Sequence, residues 1–175
     1  DGGELGRARE IYDQLATITS TYIEEPFVLE LLARAAANLV AFYARAGEYT
    51  AALEIYNRLA TLAAEHHAQE PLLLAAHSRA AVYLIKFCGR AGERAAAREI
   101  YNQLAALVVN HPETHSPLST WLGQAACDLI NVYCGAGERG VASEIYGQFA
   151  ALVGKSPLAN ELLKKAALEL KSDSA

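Results

Sequence analysis

The sequence predicts an all-α fold built from repeated helix pairs, and three observations support this prediction. The motif Glu-Ile-Tyr occurs four times, with its isoleucines 44, 45 and 45 residues apart, at Ile11, Ile55, Ile100 and Ile145. A fixed period near 45 residues is typical of a helical repeat array. Alanine provides 35 of the 175 residues and proline only five, a composition that favours helix. Apolar residues also recur at helical spacing within each copy.

Each repeat unit has two helices, and the one that carries Glu-Ile-Tyr is predicted at residues 6–22, 49–66, 94–110 and 139–154. In the second copy Ala52, Ile55, Leu59 and Leu62 lie at i, i+3, i+7 and i+10, which places them on one face of a helix. We therefore expect each motif isoleucine to face the core. Since the motif's Glu and Tyr occur in every copy, we interpret them as structural and not as catalytic.

The other helix of each unit, which comes first in each hairpin, starts at a proline and ends before a glycine. Its four copies start at Pro26, Pro71, Pro117 and Pro157. Proline suits the first turn of a helix, where its missing N–H costs nothing. Ser116 and Ser156 precede two of these prolines and are predicted N-caps. Three copies are followed by a glycine expected to take the left-handed C-cap conformation, at Gly47, Gly92 and Gly137.

We predict one repeat domain over residues 1–175, with about eight helices. Its parts are a single helix at 6–22, hairpins at 26–66, 71–110 and 117–154, and a polar capping helix at 157–171. The sequence contains no methionine, including at position 1, so we expect a fragment of a longer protein. Its compartment is then set by the parent protein, and the cytoplasm is our provisional expectation.

Charge and cysteine content narrow the class of function. The net charge of −5 makes nucleic acid an unlikely partner, because generic binding needs a basic surface. No window of about 18 uninterrupted apolar residues occurs, so no membrane partner is expected. The three cysteines are odd in number, and Cys127 and Cys134 are too far apart along one helix for a disulfide. Buried thiols in a reducing compartment are the simplest interpretation.

The segment 38–56 resembles the tetratricopeptide repeat. Its matching residues are Leu39, Val40, Tyr43, Gly47, Tyr49, Ala52 and Tyr56. Later copies keep the Leu, Gly, Ala and final Tyr positions but depart at Cys88, Arg94 and Arg139. The family repeats at about 34 residues, so the likeness is to a long-period tetratricopeptide-like solenoid. The resemblance implies a right-handed superhelix of antiparallel hairpins.

A second resemblance is to half-a-tetratricopeptide repeats, which occur in RNA-processing scaffolds. It rests on Ala-Arg-Glu-Ile-Tyr at residues 8–12 and 97–101. That family's first helix also carries Trp and Tyr at set places, and this chain has only Trp121. A subunit of an RNA-processing assembly is therefore kept as an alternative function.

The tetratricopeptide resemblance implies that the proline-initiated helices line a concave groove for a partner segment. Carrying the family's groove positions onto this sequence gives nine candidates: Arg34, Asn38, Arg45, Arg79, Tyr83, Lys86, Arg90, Asp128 and Asn131. Five are cations, which favours an extended or helical partner segment with an acidic character. Asn38 is placed to bond a peptide backbone, and Tyr83 to supply an aromatic wall.

Two other interpretations of the same residues stay open. Arg45 and Arg90 lie in the last turn of their helices, where a cation complements the helix dipole in any protein. Arg34, Arg79 and Lys86 can equally be solvated residues beside the repeated glutamates. Self-association through apolar surfaces at the ends of the array is a further alternative.

No pattern of residues predicts an enzyme, a metal site or a cofactor. His111 and His115 are four apart, but Pro112 and Pro117 predict a loop there, and no further ligands accompany them. No phosphate-binding glycine loop or nucleophile elbow occurs. The sequence therefore predicts a non-enzymatic scaffold for protein–protein interaction, with no cofactor.

Overall fold

The computed structural model describes residues 2–21, 26–66, 71–111, 115–153 and 157–171. Within these residues the fold is all-α, as predicted, with no strand. The helices are α1 Gly2–Thr21, α2 Pro26–Ala46, α3 Tyr49–His66, α4 Pro71–Arg90, α5 Arg94–Asn110, α6 His115–Gly135, α7 Arg139–Val153 and α8 Pro157–Lys171. The right-handed superhelical arrangement stays a prediction.

Two predicted helix starts were wrong. Helix α1 begins at Gly2 and not at residue 6, and it includes Gly3 and Gly6, which a helix tolerates at a modest cost in stability. Helix α6 begins at His115, which places Pro117 inside the first turn, where proline is still tolerated. Ser116 is therefore helical and is not the N-cap. The other predicted cap, Ser156, lies outside the described residues.

The three Gly-Glu turns share one geometry, which explains why the pair repeats. Gly47, Gly92 and Gly137 have φ of 84°, 90° and 78°, the left-handed region that glycine adopts without strain. At the third turn the amide of Glu138 donates to the Tyr133 carbonyl at 2.8 Å and that of Gly137 to Cys134 at 2.9 Å. This pattern ends a helix, and the Glu138 carbonyl then accepts the first bond of the next helix, from Ala142.

The chain divides into two compact units, Asp1–Leu84 and Ile85–Ala175, with the division inside α4. In the first unit α1 packs on α2, and α2 packs on α3. In the second unit α6 packs against α5, α7 and α8, while α7 also contacts α5 and α8. The prediction of one continuous domain stays a prediction.

The motif isoleucines form the core of their helices in three of the four copies. Ile55 and Ile145 are fully buried and Ile100 is 3% exposed. The alanine three residues before each of them is also fully buried. Ile11 contradicts the prediction, because its side chain is 59% exposed. Its face of α1 lies open within the first unit.

The repeated glutamate has a structural role in two copies, where an arginine of the preceding copy reaches it. Arg9 Nη2 donates to Glu54 Oε1 at 2.8 Å, and Arg98 Nη2 lies 3.5 Å from Glu144 Oε2. The hydrogen bond from Arg9 lowers the pKa of Glu54. Both glutamates are half or more exposed, so these pairs fix the register of neighbouring copies more than they add stability.

Two helices are long and apolar enough, by length and composition alone, to cross a membrane. They are Phe27–Ala46 in α2 and Pro71–Arg90 in α4. At least half of each stretch is buried, and the core helix of a soluble protein passes the same test. The sequence prediction that no membrane is involved therefore stays a prediction.

Candidate partner-binding surfaces

The nine predicted groove residues divide between the two units. Five lie in the first unit, on α2 and the first part of α4: Arg34, Asn38, Arg45, Arg79 and Tyr83. Four lie in the second unit, on the end of α4 and on α6: Lys86, Arg90, Asp128 and Asn131.

In the first unit the structure brings one predicted pair together. Arg79 Nη2 donates a hydrogen bond to Asn38 Oδ1 at 3.2 Å. Asn38 Oδ1 therefore already accepts one hydrogen bond within the fold, which leaves one lone pair and the amide nitrogen for a peptide. Arg34 lies 3.6 Å from Glu30 with a 64% exposed side chain, which fits the solvated interpretation. Arg45 is exposed in the last turn of α2, and Tyr83 is partly exposed.

In the second unit all four predicted residues line one open pocket of about 410 Å³. The pocket lies between the C-terminal turn of α4, the Gly-Glu turn and helix α6. Its lining residues are Lys86, Gly89, Arg90, Gly92, Arg94, Asp128, Asn131, Val132, Gly135 and Ala136. All four residues of this unit that the tetratricopeptide resemblance places in the groove therefore line this pocket.

The charge of this pocket is positive on balance. Arg94 is paired with Glu138, with 3.1 Å between Nη2 and Oε1. Asp128 accepts a hydrogen bond from Gln124 at 3.2 Å. Lys86 and Arg90 form no ion pair with any residue that the structure describes. Lys86 Nζ lies 6.0 Å from the Phe87 ring centroid, at the outer limit of a cation–π contact. Two cationic groups thus remain available for an anionic partner.

Three glycines line the pocket, at Gly89, Gly92 and Gly135, so its wall has no side chain at these positions. At Gly89 a Cβ would lie 2.6 Å from Val132 Cγ2, so only glycine allows this approach of α4 to α6. Gly92 and Gly135 have open space where a side chain would stand. The backbone is therefore exposed at the pocket wall, where a partner's main chain can approach it.

The cysteines behave as buried apolar residues. Cys88, Cys127 and Cys134 are buried and form no disulfide. Burial raises the pKa of Cys88 to about 11, which keeps its thiol protonated at neutral pH. No group of three or more His, Cys, Asp or Glu that could hold a metal lies among the described residues. His115 starts a helix and not the predicted loop, and Pro112 lies outside the described residues.

Sequence reasoning missed two features. Arg94 lines the basic pocket, although the sequence marked it only as a departure from the family's Tyr. An apolar groove of about 360 Å³ lies between α1 and α2 in the first unit. Its lining residues are Ala8, Ile11, Tyr12, Leu15, Ala35, Asn38, Leu39 and Phe42. The expectation of apolar surfaces at the ends of the array was the only sequence signal for this groove.

No protein-family model, curated protein or solved structure matches this chain. The relation to tetratricopeptide-like repeats therefore rests on the residues and spacings alone.

Proposed function

We propose that this chain is a non-enzymatic scaffold for protein–protein interaction, of the tetratricopeptide-like class, which binds an acidic partner segment. The observation that carries the proposal is the pocket in the second unit, where Lys86 and Arg90 lie beside Asn131 and form no ion pair with any described residue. In the first unit Arg79 and Asn38, which are hydrogen-bonded to each other, remain predicted contributors, whereas Arg45 is taken as a residue that complements the dipole of α2.

The shape and charge of the pocket favour an acidic peptide over RNA. The whole chain carries a net charge of −5, so the cationic patch is local and repels a long polyanion outside the pocket. A short segment with two or three carboxylates matches the two unpaired cations, while Asp128 disfavours a partner with carboxylates along its whole length. Asn131 offers an amide donor and acceptor to the partner's backbone.

The experiment is a fluorescence-anisotropy titration of the chain with a labelled glutamate-rich peptide. The double variant Lys86→Glu with Arg90→Glu is expected to weaken binding by at least about tenfold, since it replaces attraction by repulsion. Affinity for the parent chain is expected to fall as salt is added, because the contacts are partly solvent-exposed. Arg90 lies in the last turn of α4, so its replacement by Glu is expected to lower the melting temperature slightly through the helix dipole.

Arg45→Glu is the matched control. Arg45 occupies the same place in the last turn of α2 as Arg90 does in α4, but lies outside the pocket. We expect this variant to bind the peptide as the parent chain does. Equal weakening by Arg45→Glu would mean that only net charge matters, and the proposed site would be wrong. Tighter binding of a single-stranded RNA than of the peptide would favour the RNA-assembly alternative.

A further inference from the structure

The basic pocket of the second unit also contains a negative charge that the fold does not neutralise. Asp128 lines the pocket from α6 and is half-buried, and its Oδ2 accepts a hydrogen bond from Gln124 Nε2 at 3.2 Å. Asp128 forms no ion pair with any residue that the structure describes. The cations Lys86, Arg90 and Arg94 line the same pocket and yet do not reach it. The pocket therefore offers a partner a carboxylate as well as two unpaired cations.

The two signs of charge lie at different heights along the pocket. The ion pair of Arg94 with Glu138, at 3.1 Å, joins the turn after α4 to the turn after α6, so the ends of these two helices lie together. Arg90 is the last residue of α4, and Lys86 lies about 6 Å before it along the helix. Asp128 lies about 10 Å before the end of α6. The cations are therefore nearer the Gly-Glu turns than the carboxylate is.

This arrangement sets the charge pattern of a partner segment that fits the pocket. Two acidic groups near the turns neutralise Lys86 and Arg90, and one basic group farther along neutralises Asp128. A segment with acidic groups only would bring a carboxylate against Asp128, and like charges placed together across an interface disfavour binding. A neutral group at the same place would leave the half-buried Asp128 without a partner, which is also unfavourable.

We propose that the basic pocket binds a segment with both signs of charge, whose acidic residues lie toward the Gly-Glu turns and whose Lys or Arg lies against Asp128. This inference rests on the proposed function, since it concerns the same pocket, and it specifies the charge pattern of the partner.

The geometry of Asp128 and of an extended chain agrees with this pattern. Gln124 binds one carboxylate oxygen of Asp128, so the other oxygen remains for the partner's cation. In an extended segment, side chains two residues apart lie on the same face and are about 7 Å apart. This spacing lies within the range of about 4–10 Å that separates Asp128 from the two cations along the helix axes. An acidic and a basic residue two positions apart therefore reach both charges at once.

The test compares labelled peptides of matched composition by fluorescence anisotropy. Each peptide carries two glutamates, and a third position, two residues from the nearer glutamate, holds either Lys or norleucine. Norleucine keeps the aliphatic stem of lysine and lacks its ammonium group. One pair of peptides has this position before the glutamates and a second pair has it after them. In one of the two chain directions we expect the Lys peptide to bind the 175-residue chain about fivefold more tightly than its norleucine partner.

Asp128→Asn tests which residue causes this preference. The new amide oxygen can still accept the hydrogen bond from Gln124, so the variant should keep the melting temperature of the parent chain. We expect it to bind the Lys and norleucine peptides equally. Glu99→Gln is the matched control, because Glu99 accepts a hydrogen bond from Gln103, four residues away, and lies outside the pocket. It changes the net charge by the same amount and should keep the preference for Lys.

The outcomes separate this inference from the proposed function. Equal binding of Lys and norleucine peptides in both chain directions, or a preference for Lys that survives Asp128→Asn, would overturn the inference and leave the acidic-segment proposal standing. Loss of the preference in Glu99→Gln as well would attribute it to net charge and would also overturn the inference. If no peptide binds, or if Lys86→Glu with Arg90→Glu leaves the binding unchanged, the proposed function is wrong and the inference with it.

Discussion

At the residue scale, His77 occupies a position that the repeat otherwise gives to leucine. The equivalent residues in the neighbouring copies are Leu32 and Leu122, both buried. The His77 ring stacks on Tyr56 with 4.7 Å between ring centroids. Neither ring nitrogen has a hydrogen-bond partner among the described residues. Desolvation by burial lowers the pKa of His77 from 6.5 to about 4, so the folded state holds this imidazole neutral.

The depressed pKa of His77 predicts a loss of stability in mild acid. Between pH 6.5 and about 4 the unfolded chain binds a proton at this residue that the folded chain does not. The contribution of His77 leaves the free energy of unfolding unchanged above pH 6.5. Below that pH it lowers the free energy of unfolding, by roughly 3 kcal/mol at most. We expect His77→Leu to remove most of this dependence. Urea denaturation of both chains at each end of the window measures it.

Glu54 provides a check on the assignment to His77. Because the pKa of Glu54 is lowered in the folded chain, the stability that this carboxylate contributes is lost only below its ordinary pKa of 4.5. Glu54 therefore contributes little to the change in stability between pH 6.5 and 5. If His77→Leu lost as much stability as the parent chain between pH 6.5 and 5, the account of this residue would be wrong.

The sequence predicted side-chain burial correctly for three of the four motif isoleucines. The burial of Ile55, Ile100 and Ile145 followed from helical period, because each helix has a neighbour on that face. Ile11 has the same local sequence but lies on an open face, and local sequence contains no information about which faces are covered. The roles of His77 and Arg94 depended on neighbours more than 20 residues away in the chain.

At the element scale, helix ends were predictable and helix starts were less so. Each glycine with positive φ ends a helix by a backbone constraint that is local to the turn. Helix starts are less well determined, because proline, serine or a residue before them can each begin the helix. Helix α6 therefore begins at His115, two residues before the predicted start at Pro117.

The small residue at the crossing of α6 with α7 and α8 gives a prediction at this scale. Gly123→Ala is expected to destabilise the chain by about 1–3 kcal/mol, because the new methyl group meets Phe149 and Leu162 in a packed core. Gly147→Ala is the control, since Gly147 is helical and exposed, and no other atom lies within 4 Å of the place where its methyl group would stand. That variant should gain about 0.5–1 kcal/mol from higher helix propensity.

Chemical denaturation of the two variants compares them directly. If the denaturation midpoint falls for Gly123→Ala and rises for Gly147→Ala, the result supports close packing of α6 on α7 and α8. Stabilisation of similar size in both variants would mean that Gly123 has room for a side chain and that α6 does not lie as close to α7 and α8 as described.

At the scale of the whole molecule, the repeat period, the composition and the proline and glycine positions together predicted an all-α chain of about eight helices. The described residues form eight helices with nearly the predicted bounds. The family's groove positions lie at fixed distances along the chain before the glycine that ends each helix. In the second unit these distances selected four residues that line one pocket: Lys86, Arg90, Asp128 and Asn131. The handedness of the array and the continuity of one groove along it depend on small rotations between repeats, which no residue pattern reports.

The most direct test of the central claim, an acidic segment bound in the basic pocket, is backbone amide NMR of the isotope-labelled chain titrated with the glutamate-rich peptide. The account predicts that the largest shift changes occur at Gly89, Gly92, Asn131 and Gly135, which line the pocket. These changes should disappear in the Lys86→Glu, Arg90→Glu variant. Shift changes confined to other residues, or none at saturating peptide, would contradict the proposed site.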